Sequence, residues 1–341
     1  MKASLRYIVP IFFAFLLLSC ATGTRTDYYE PHTELQIKAL ENYELTTLIA
    51  KGEEERSLPL PYFLGAGKDC TKVVLDWGDG REMEIEVEDG KARLINLLPG
   101  ETYHWTGFSK EGEVLREGVL EVSPRAPRNI EAGGVTNIRD VGYWKGKDGK
   151  TIKGEMIYRS SRLSENGSGE SLLTEDGKTV LLRDLGIKTE IDLRKTRDGE
   201  NGGIEESVLG DGVRYCSIPM ESGGGYLKRN LPAFSSLFEV LGDIENYPIV
   251  IHCSIGTDRT GAVAFVLGAL LGMEEDDLYR DYLFSNFGAI GGLRRQKTID
   301  EYLMLLDSYE GSTLAEKARR MLIENGTKEK DIDLFLEIME K

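Results

Sequence analysis

The sequence predicts a two-part chain: a small all-β sandwich, then a larger α/β domain with a central, mostly parallel sheet flanked by helices. Three observations predict it. Residues 72–108 hold the strand-like runs KVVLDW, MEIEVE, ARLINL and YHWTGF, parted by short turns such as GDG, EDG and PGE. The stretch SPRAPRN (123–129) is rich in proline and marks a change of texture, as domain boundaries do. Beyond it strands and helices alternate, and the runs PIVIHC and AVAFVLGALLGM are almost wholly apolar. That is how a strand buried on both faces and a buried helix read.

The 341 residues suffice for about two such domains. With 40% hydrophobic and 29% charged residues, the chain is globular rather than disordered. A formal net charge of -16 argues against nucleic acid as a partner, because that partner needs a basic face. Any site for a phosphate group must then be a local positive spot. His32, His104 and His252 are the only histidines and lie far apart, and the cysteines show no metal-like spacing. Neither pattern suits a zinc site. Cys70 and Cys216 read as small core residues, although an exported chain could pair them.

At the N-terminus, Lys2 and Arg6 precede IVPIFFAFLLL, which stops at Ser19 and Cys20. A charged start, an apolar middle and small residues at the cut form an export signal, here residues 1–19. The apolar run is shorter than the ~20 residues of a membrane span. Its end, Leu17-Leu18-Ser19-Cys20, resembles a bacterial lipobox. The resemblance implies lipid on the Cys20 thiol and an anchor in the cell envelope, at the outer membrane or the periplasmic face. Residues 20–36 are polar and turn-rich and read as a tether.

The sandwich is expected over 37–124. In MEIEVE, Met83, Ile85 and Val87 alternate with three glutamates, which gives one buried and one wet face. Asp76-Trp77-Gly78-Asp79-Gly80 reads as a hairpin turn, since it lacks the spaced ligands and distal glutamate of a calcium loop. Leu98-Pro99-Gly100-Glu101-Thr102-Tyr103 resembles the turn of fibronectin type III domains, in which a tyrosine at a strand start bonds back across a corner. No catalytic constellation is visible here, and any ligand of this unit is unknown.

The α/β domain is expected over 125–341. Thr174 can cap a helix ending at Gly186, and IKTEIDL and VRYCSIP read as strands. Pro232 opens a helix through about Asn246, with Phe234, Leu237, Phe238, Leu241 and Ile244 on one face. The last two helices, about 313–324 and 328–340, are amphipathic.

The chemistry concentrates in IVIHCSIGTDRTG (249–261). An apolar strand ends at His252 and Cys253, a loop of Ser254, Ile255, Gly256, Thr257 and Asp258 follows, and Arg259 and Thr260 open a helix. A helix N-terminus carries unpaired N–H groups and the positive end of a dipole, so it attracts anions. A curled loop adds N–H donors. Gly256 permits the backbone angles such a curl needs. Arg259 can fork two bonds to a tetrahedral anion. A thiol in that field loses its proton readily.

His-Cys-x5-Arg-Thr-Gly is similar to the signature loop of cysteine-dependent phosphatases. Asn137-Ile138-Arg139-Asp140-Val141-Gly142, Tyr158-Arg159-Ser160, Asp192-Leu193-Arg194 and Arg280-Asp281-Tyr282 with Ser285-Asn286 resemble landmarks of the bacterial atypical tyrosine phosphatases. The resemblance spans about 129–341. It implies a phosphocysteine intermediate on Cys253, with Arg259 and loop N–H groups holding the phosphoryl oxygens. It also implies that Thr260 assists the departing sulfur, that His252 orders the loop, and that no metal or organic cofactor is required. Arg139, Asp140, Arg159, Asp192 and Arg194 read as support for the loop. The resemblance places the leaving-group acid at Asp258. Glu221 in SIPMESGGG is the alternative, on a glycine-rich segment. Substrates implied are a phosphorylated protein or a small phosphomonoester, with phosphotyrosine first and inositol phosphates or phosphoinositides as the alternative. A surface binding protein with an inert phosphatase domain is the third reading. One departure bears on substrate: relatives carry lysine before the aspartate, and this chain has Thr257. Lys228, Arg229, Arg294, Arg295 and Lys297 are the cations that could replace it.

Overall fold

A computed structural model describes residues 25–46, 58–77, 80–197 and 199–340. The expected signal segment and Cys20 lie outside the described residues.

The first unit is all-β. Its strands are β1 (Arg25–Tyr29), β2 (Tyr62–Gly65), β3 (Lys72–Asp76), β4 (Glu82–Glu88), β5 (Lys91–Leu94), β6 (Thr102–Phe108) and β7 (Val114–Val122). They bond in the order β1-β7-β6-β3-β4-β5-β2. All neighbours run antiparallel except β1, which lies parallel to β7. Leu64, Val73, Leu75, Ala92, Tyr103 and Trp105 fill the core, each 2% exposed or less. Each fully buried large side chain contributes about 1.5–3 kcal/mol. Cys70 is buried there as a free thiol. β3 and β4 pair antiparallel with Asp76 opposite Glu82, while Gly78 and Asp79 of the expected hairpin turn lie outside the described residues. At the corner before β6, the Leu98 N–H donates to the Tyr103 hydroxyl at 2.9 Å.

The tether reading of residues 20–36 needs correction where they are described. Arg25–Tyr29 is a strand, Tyr29 is 3% exposed in the core, and its hydroxyl donates to the Leu60 carbonyl at 2.5 Å. The short polar run RTDYY shows no period of its own; its partner β7 lies about 90 residues away. Next comes α1 (Glu34–Glu41), opened by a reciprocal cap between Thr33 and Gln36. Ala39 and Leu40 of α1 join the core of the second unit, and Tyr43 stacks on Tyr279 at 4.8 Å. So the expected boundary at residue 37 does not match the packing.

The second unit has a five-stranded sheet in the order β11-β10-β12-β9-β8. The strands are β8 (Arg139–Asp140), β9 (Ile157–Ser160), β10 (Thr189–Asp192), β11 (Arg214–Ser217) and β12 (Ile249–His252). Only β8 is antiparallel to its neighbour. Side chains of β12 alternate between two cores: Ile249 and Ile251 face a large helical layer, and Val250 faces a smaller one with Leu181, Leu185 and Val213. Helices follow as α2 (Glu175–Thr179), α3 (Tyr226–Arg229), α4 (Ala233–Leu241), α5 (Asp258–Leu270), α6 (Glu275–Phe284), α7 (Lys297–Leu306), α8 (Leu314–Glu324) and α9 (Glu329–Glu340). Every residue of α5 from Arg259 to Leu270 is buried, so this helix is the axis of the helical layer.

Two expected helices differ in detail, and one of them is shorter than predicted. The Thr174 cap holds, with its hydroxyl accepting from Gly177, but the helix widens to a π turn over Val180–Asp184. The helix from Pro232 stops at Leu241, because Gly242 ends it and Asp243 caps a separate 3-10 turn, Ile244–Asn246. Ile244, expected on the apolar face, is therefore 51% exposed.

Residues 123–129 are held at both ends, first by the Ser123 N–H, which donates to the Tyr29 carbonyl at 2.9 Å. His32 bonds the Pro127 carbonyl at 2.9 Å, and Arg128 donates to the Asn96 carbonyl at 2.6 Å. Asn96 in turn pairs with the Glu131 backbone, and Arg93 forks onto the Glu131 carboxylate.

Candidate active site

The parallel strands align so that His252, Asp192 and Ser160 end at one edge of the sheet. In open α/β sheets this carboxyl edge is where ligands bind. Cys253 leaves β12 there, 1% exposed, and five residues later α5 begins.

The loop between them is tied from outside. The Ser254 carbonyl accepts from the Arg162 N–H at 3.3 Å, the Ile255 carbonyl from Asn137 Nδ2 at 3.1 Å, and the Gly256 carbonyl from Arg159 Nη2 at 2.9 Å. With successive carbonyls pulled outward, the N–H groups are left for the concave side, which is the arrangement that holds anions. Gly256 is required: its φ is 70°, and a Cβ there would lie 2.3 Å from the Ser160 carbonyl oxygen. The strand β9 therefore passes too close for any other residue.

Burial alone would push the Cys253 thiol up. The Arg259 guanidinium, the Thr260 hydroxyl and the N–H groups of Thr260 and Ile255 outweigh it, and the thiol ionises below its ordinary value. Thr260 Oγ1 is buried and bonds no nitrogen or oxygen, which leaves it to the sulfur.

Arg259 is held by a residue the sequence did not single out. Glu200 receives Nη1 at 2.8 Å and Nη2 at 2.5 Å, and also accepts from the Ser254 hydroxyl at 2.6 Å and the Lys195 N–H at 3.1 Å. Although partial burial opposes it, this set of donors pulls the Glu200 carboxyl down to about 2. The fork sets the plane of the guanidinium next to the loop.

Beneath the cysteine lies a balanced buried network. His252 Nε2 meets Glu190 at 2.8 Å, and Nδ1 lies 3.3 Å from the Cys253 carbonyl. Burial pulls the His252 ring pKa down, but Asp192 and Glu190 outweigh that and raise it. Arg194 forks onto Asp192 and reaches Ser164 and Asn166, and Asn166 donates to the Ser254 hydroxyl at 3.3 Å. Glu190, Asp192 and His252 are close enough to share a metal ion. Their oxygens are already committed, however: Asp192 to Arg194 and Tyr215, and Glu190 to Ser207 and His252.

At the rim, Asp258 stands in the first turn of α5 and takes a fork from Arg294, with Nε at 2.7 Å and Nη2 at 2.8 Å. Asn286 clamps the Arg294 backbone with two bonds. Thr257 is 0% exposed and turned inward onto Asn137. Among the five cations named from sequence, Arg294 is therefore the one that reaches the loop. Glu221 pairs with Lys195 at 2.6 Å, which holds its carboxyl below the usual range, and with Arg229 at 3.7 Å.

The structure brings together Cys253, the loop, Arg259, Thr260, His252, Arg139, Arg159, Asp192 and Arg194. Asp140 is the exception among the supporting residues. It accepts from the Gly142 and Glu155 N–H groups and lies 3.7 Å from Arg128, so it braces the β8–β9 connection rather than the loop. Asp281 and Asn137, noted in sequence only inside longer motifs, prove to be direct partners of the loop's supports. Glu190 and Glu200 went unnoticed; strand alternation in IKTEIDL is the signal that could have placed Glu190.

Residues 130–322 match a family described as the tyrosine phosphatase family. A Cupriavidus necator protein, named as a candidate tyrosine-protein phosphatase, is 27% identical over 198 residues, which are 48% of this chain and 68% of that protein. Among solved structures, the core catalytic domain of the PP-IP phosphatase Siw14 from S. cerevisiae is 20% identical, covering 44% of this chain and 84% of its own, with a TM-score of 0.31. A P. aeruginosa TpbA variant in complex with phosphotyrosine is 16% identical, covering 50% and 86%, with a TM-score of 0.29. With more than half of its length matched by the family and a thiol, a phosphate-type loop and an arginine converging within that match, the chain belongs to the tyrosine phosphatase family.

Proposed function

We propose that the chain hydrolyses phosphomonoesters, phosphotyrosine in proteins first, in two steps through a phosphocysteine. The observation that carries this reading is the buried Cys253 thiol, favoured as thiolate at the floor of a loop whose Ser254, Ile255 and Gly256 carbonyls are bonded from outside. In the first step the sulfur attacks phosphorus, a P–S bond forms, and the bond to the leaving oxygen breaks. That oxygen takes a proton from a carboxylic acid. In the second, water attacks, the P–S bond breaks, the carboxylate accepts the water's proton, and the Thr260 hydroxyl bonds the departing thiolate. Positioning and electrostatics do most of the work in such transfers.

Asp258 is the favoured acid. It sits on the same first turn as Arg259 and is only 14% exposed at its side chain, whereas Glu221 lies on an exposed turn. In the free protein Arg294 occupies both Asp258 oxygens, so the acid must be released when substrate binds. The monoester is favoured over inositol polyphosphates because the rim cations Arg294 and Lys195 already face acids, and Thr257 adds no charge. The test is hydrolysis of an aryl phosphate in the presence of a chelator, with Cys253→Ser beside it. Loss of turnover in Cys253→Ser supports the reading; no turnover by the clean parent protein favours the binding-protein alternative. A panel of phosphotyrosine, phosphoserine and inositol phosphates separates the substrate classes.

For the rest of the chain, the proposed division is an all-β unit of fibronectin type III character that ends at about residue 124 and a catalytic unit after it, with α1 packed onto the catalytic unit. The Leu98–Tyr103 corner bond supports the first part. The proposed location is the cell envelope, through lipid on Cys20. Labelled palmitate incorporated by the parent and not by Cys20→Ser would support it, and a soluble, unlabelled parent would refute it.

A further inference from the structure

Behind the loop, two fully buried arginines share one carboxylate. Arg139 meets Asp281 Oδ1 through Nε at 3.2 Å, and Arg159 Nη1 meets Asp281 Oδ2. Arg139 is 0% exposed and Arg159 1%. No second carboxylate pairs with either guanidinium among the described residues. The other Arg139 partners are neutral: Asn137 Oδ1 at 2.6 Å, the Asp281 carbonyl at 2.7 Å and the Ser285 hydroxyl at 3.1 Å. Burial and the neighbouring Arg159 pull Arg139 down to about 9, which still leaves it charged near neutral pH. The cluster therefore carries one unbalanced positive charge out of solvent, where it is costly unless something nearby offsets it.

The charges around the thiol show what offsets it. Arg259 from α5 is committed to Glu200. Below, Arg194 pairs with Asp192 and His252 bonds Glu190, and the two carboxylates favour the protonated ring. At the rim Arg294 balances Asp258, Arg162 balances Glu165, and the exposed Glu221 faces Lys195 and Arg229. Once Cys253 ionises, the cation acting on it is Arg259, which Glu200 shares, and the surplus positive charge that Lys195 and Arg229 leave over Glu221 lies at the solvent-exposed rim, so no buried cation of this set is left to the thiolate alone. Both arginines reach the loop directly or through one residue: Arg159 to the Gly256 carbonyl, and Arg139 through Asn137 to the Ile255 carbonyl and the Thr257 hydroxyl.

We propose that the Arg139–Arg159–Asp281 cluster is the fixed counter-charge of the Cys253 thiolate and of the anion that replaces it, so that Arg139 is a positioning residue that acts by charge from behind the loop. This rests on the reading of the loop as a phosphate cradle. A buried charge is screened little by salt, so its influence extends past its own hydrogen bonds.

The experiment measures thiol ionisation in the full chain without substrate. The rate at which iodoacetamide alkylates Cys253, followed by peptide mass spectrometry, is recorded against pH, with circular dichroism as the check on folding. Inorganic phosphate is then added as the probe anion to measure protection. Arg139→Gln, which removes the charge and keeps a donor, should raise the ionisation midpoint by about one pH unit and weaken phosphate protection roughly tenfold. Arg139→Lys, which keeps the charge and loses the fork, should leave the midpoint within about 0.3 unit. Asp281→Asn, which adds net positive charge, should lower it. Equal shifts in the Gln and Lys variants would mean that the fork matters and the charge does not, and would overturn the proposal, as would an unchanged midpoint in Arg139→Gln. Should Arg139→Gln fail to fold, a midpoint in Asp281→Asn at or above that of the parent overturns it instead. Because nothing turns over here, failure of this inference leaves the phosphatase reading standing, and absent turnover leaves this measurement possible.

Discussion

The two units bury different things. From residue 58 to 122 the described core is apolar and aromatic and holds no buried charged side chain. The α/β unit buries Arg139, Arg159, Asp192, Arg194, Glu190 and Asp281 within reach of one loop or of its immediate supports, with Arg128 and Asp140 as a buried pair apart from it. Taking a charge out of water is expensive, and apolar side chains of the same volume would serve stability as well or better. A fold that concentrates buried charge around one thiol is spending stability on an electrostatic environment, which marks where chemistry takes place. The all-β unit shows how little polarity such a core needs: the corner bond from Leu98 to Tyr103, the Tyr29 hydroxyl on the Leu60 carbonyl, and an apolar interior.

That contrast can be broken at several depths. The largest effect is expected from Cys253→Ser, which should lower kcat on the order of 10³-fold or more with an unchanged melting temperature. Residual turnover within tenfold of the parent, about 1.4 kcal/mol of barrier, would remove the cysteine from the mechanism. Arg259→Lys keeps a charge but loses the fork to Glu200 and to the anion, and kcat/KM should fall roughly 10²-fold to 10³-fold. Glu200→Gln should cost about 10-fold to 100-fold in kcat/KM, because it frees the guanidinium it orients.

The same glutamate carries a pH prediction. Its carboxyl is pulled down to about 2 in the fold, below its unfolded value, so its stabilising contribution is fully present above about pH 4.5. That contribution is lost as pH falls toward 2. The difference in urea midpoint between parent and Glu200→Gln should thus be constant from pH 7 to 5 and shrink below 4.5. A difference that grows on acidification would contradict the ion pair. The smallest effect belongs to the other unit. Tyr103→Phe removes the corner bond and should cost about 1 kcal/mol of stability, read by urea unfolding, with kcat unchanged. A change in kcat there would show that the two units are coupled in catalysis, and the contrast would fail.

Much of the site was legible because its chemistry is local in sequence. Strand, cysteine, loop, arginine and helix follow one another in 249–261, and each residue type announces its part. The alternation in MEIEVE and the turn before Tyr103 are local in the same sense. What sequence did not reveal is long-range pairing. Glu200 lies 59 residues from the arginine it grips, in a polar turn that resembles any exposed turn. Arg294 reaches Asp258 across 36 residues, so which of five cations serves the rim could be settled only in three dimensions. β1 is a strand because β7 offers it an edge, a fact absent from RTDYY itself. Asp140 shows the converse: it shares a motif with Arg139, yet the pleat sends the two neighbours to opposite faces and different partners.

The central claim is that Cys253 becomes the phosphoryl carrier. Rapid acid quench of the protein mixed with an aryl phosphate, followed by peptide mass spectrometry, tests it most directly. The account predicts up to one phosphoryl group per chain, on Cys253, appearing and decaying at rates compatible with turnover. Steady turnover with no phosphate on Cys253 at any quench time, together with undiminished activity in Cys253→Ser, would contradict it.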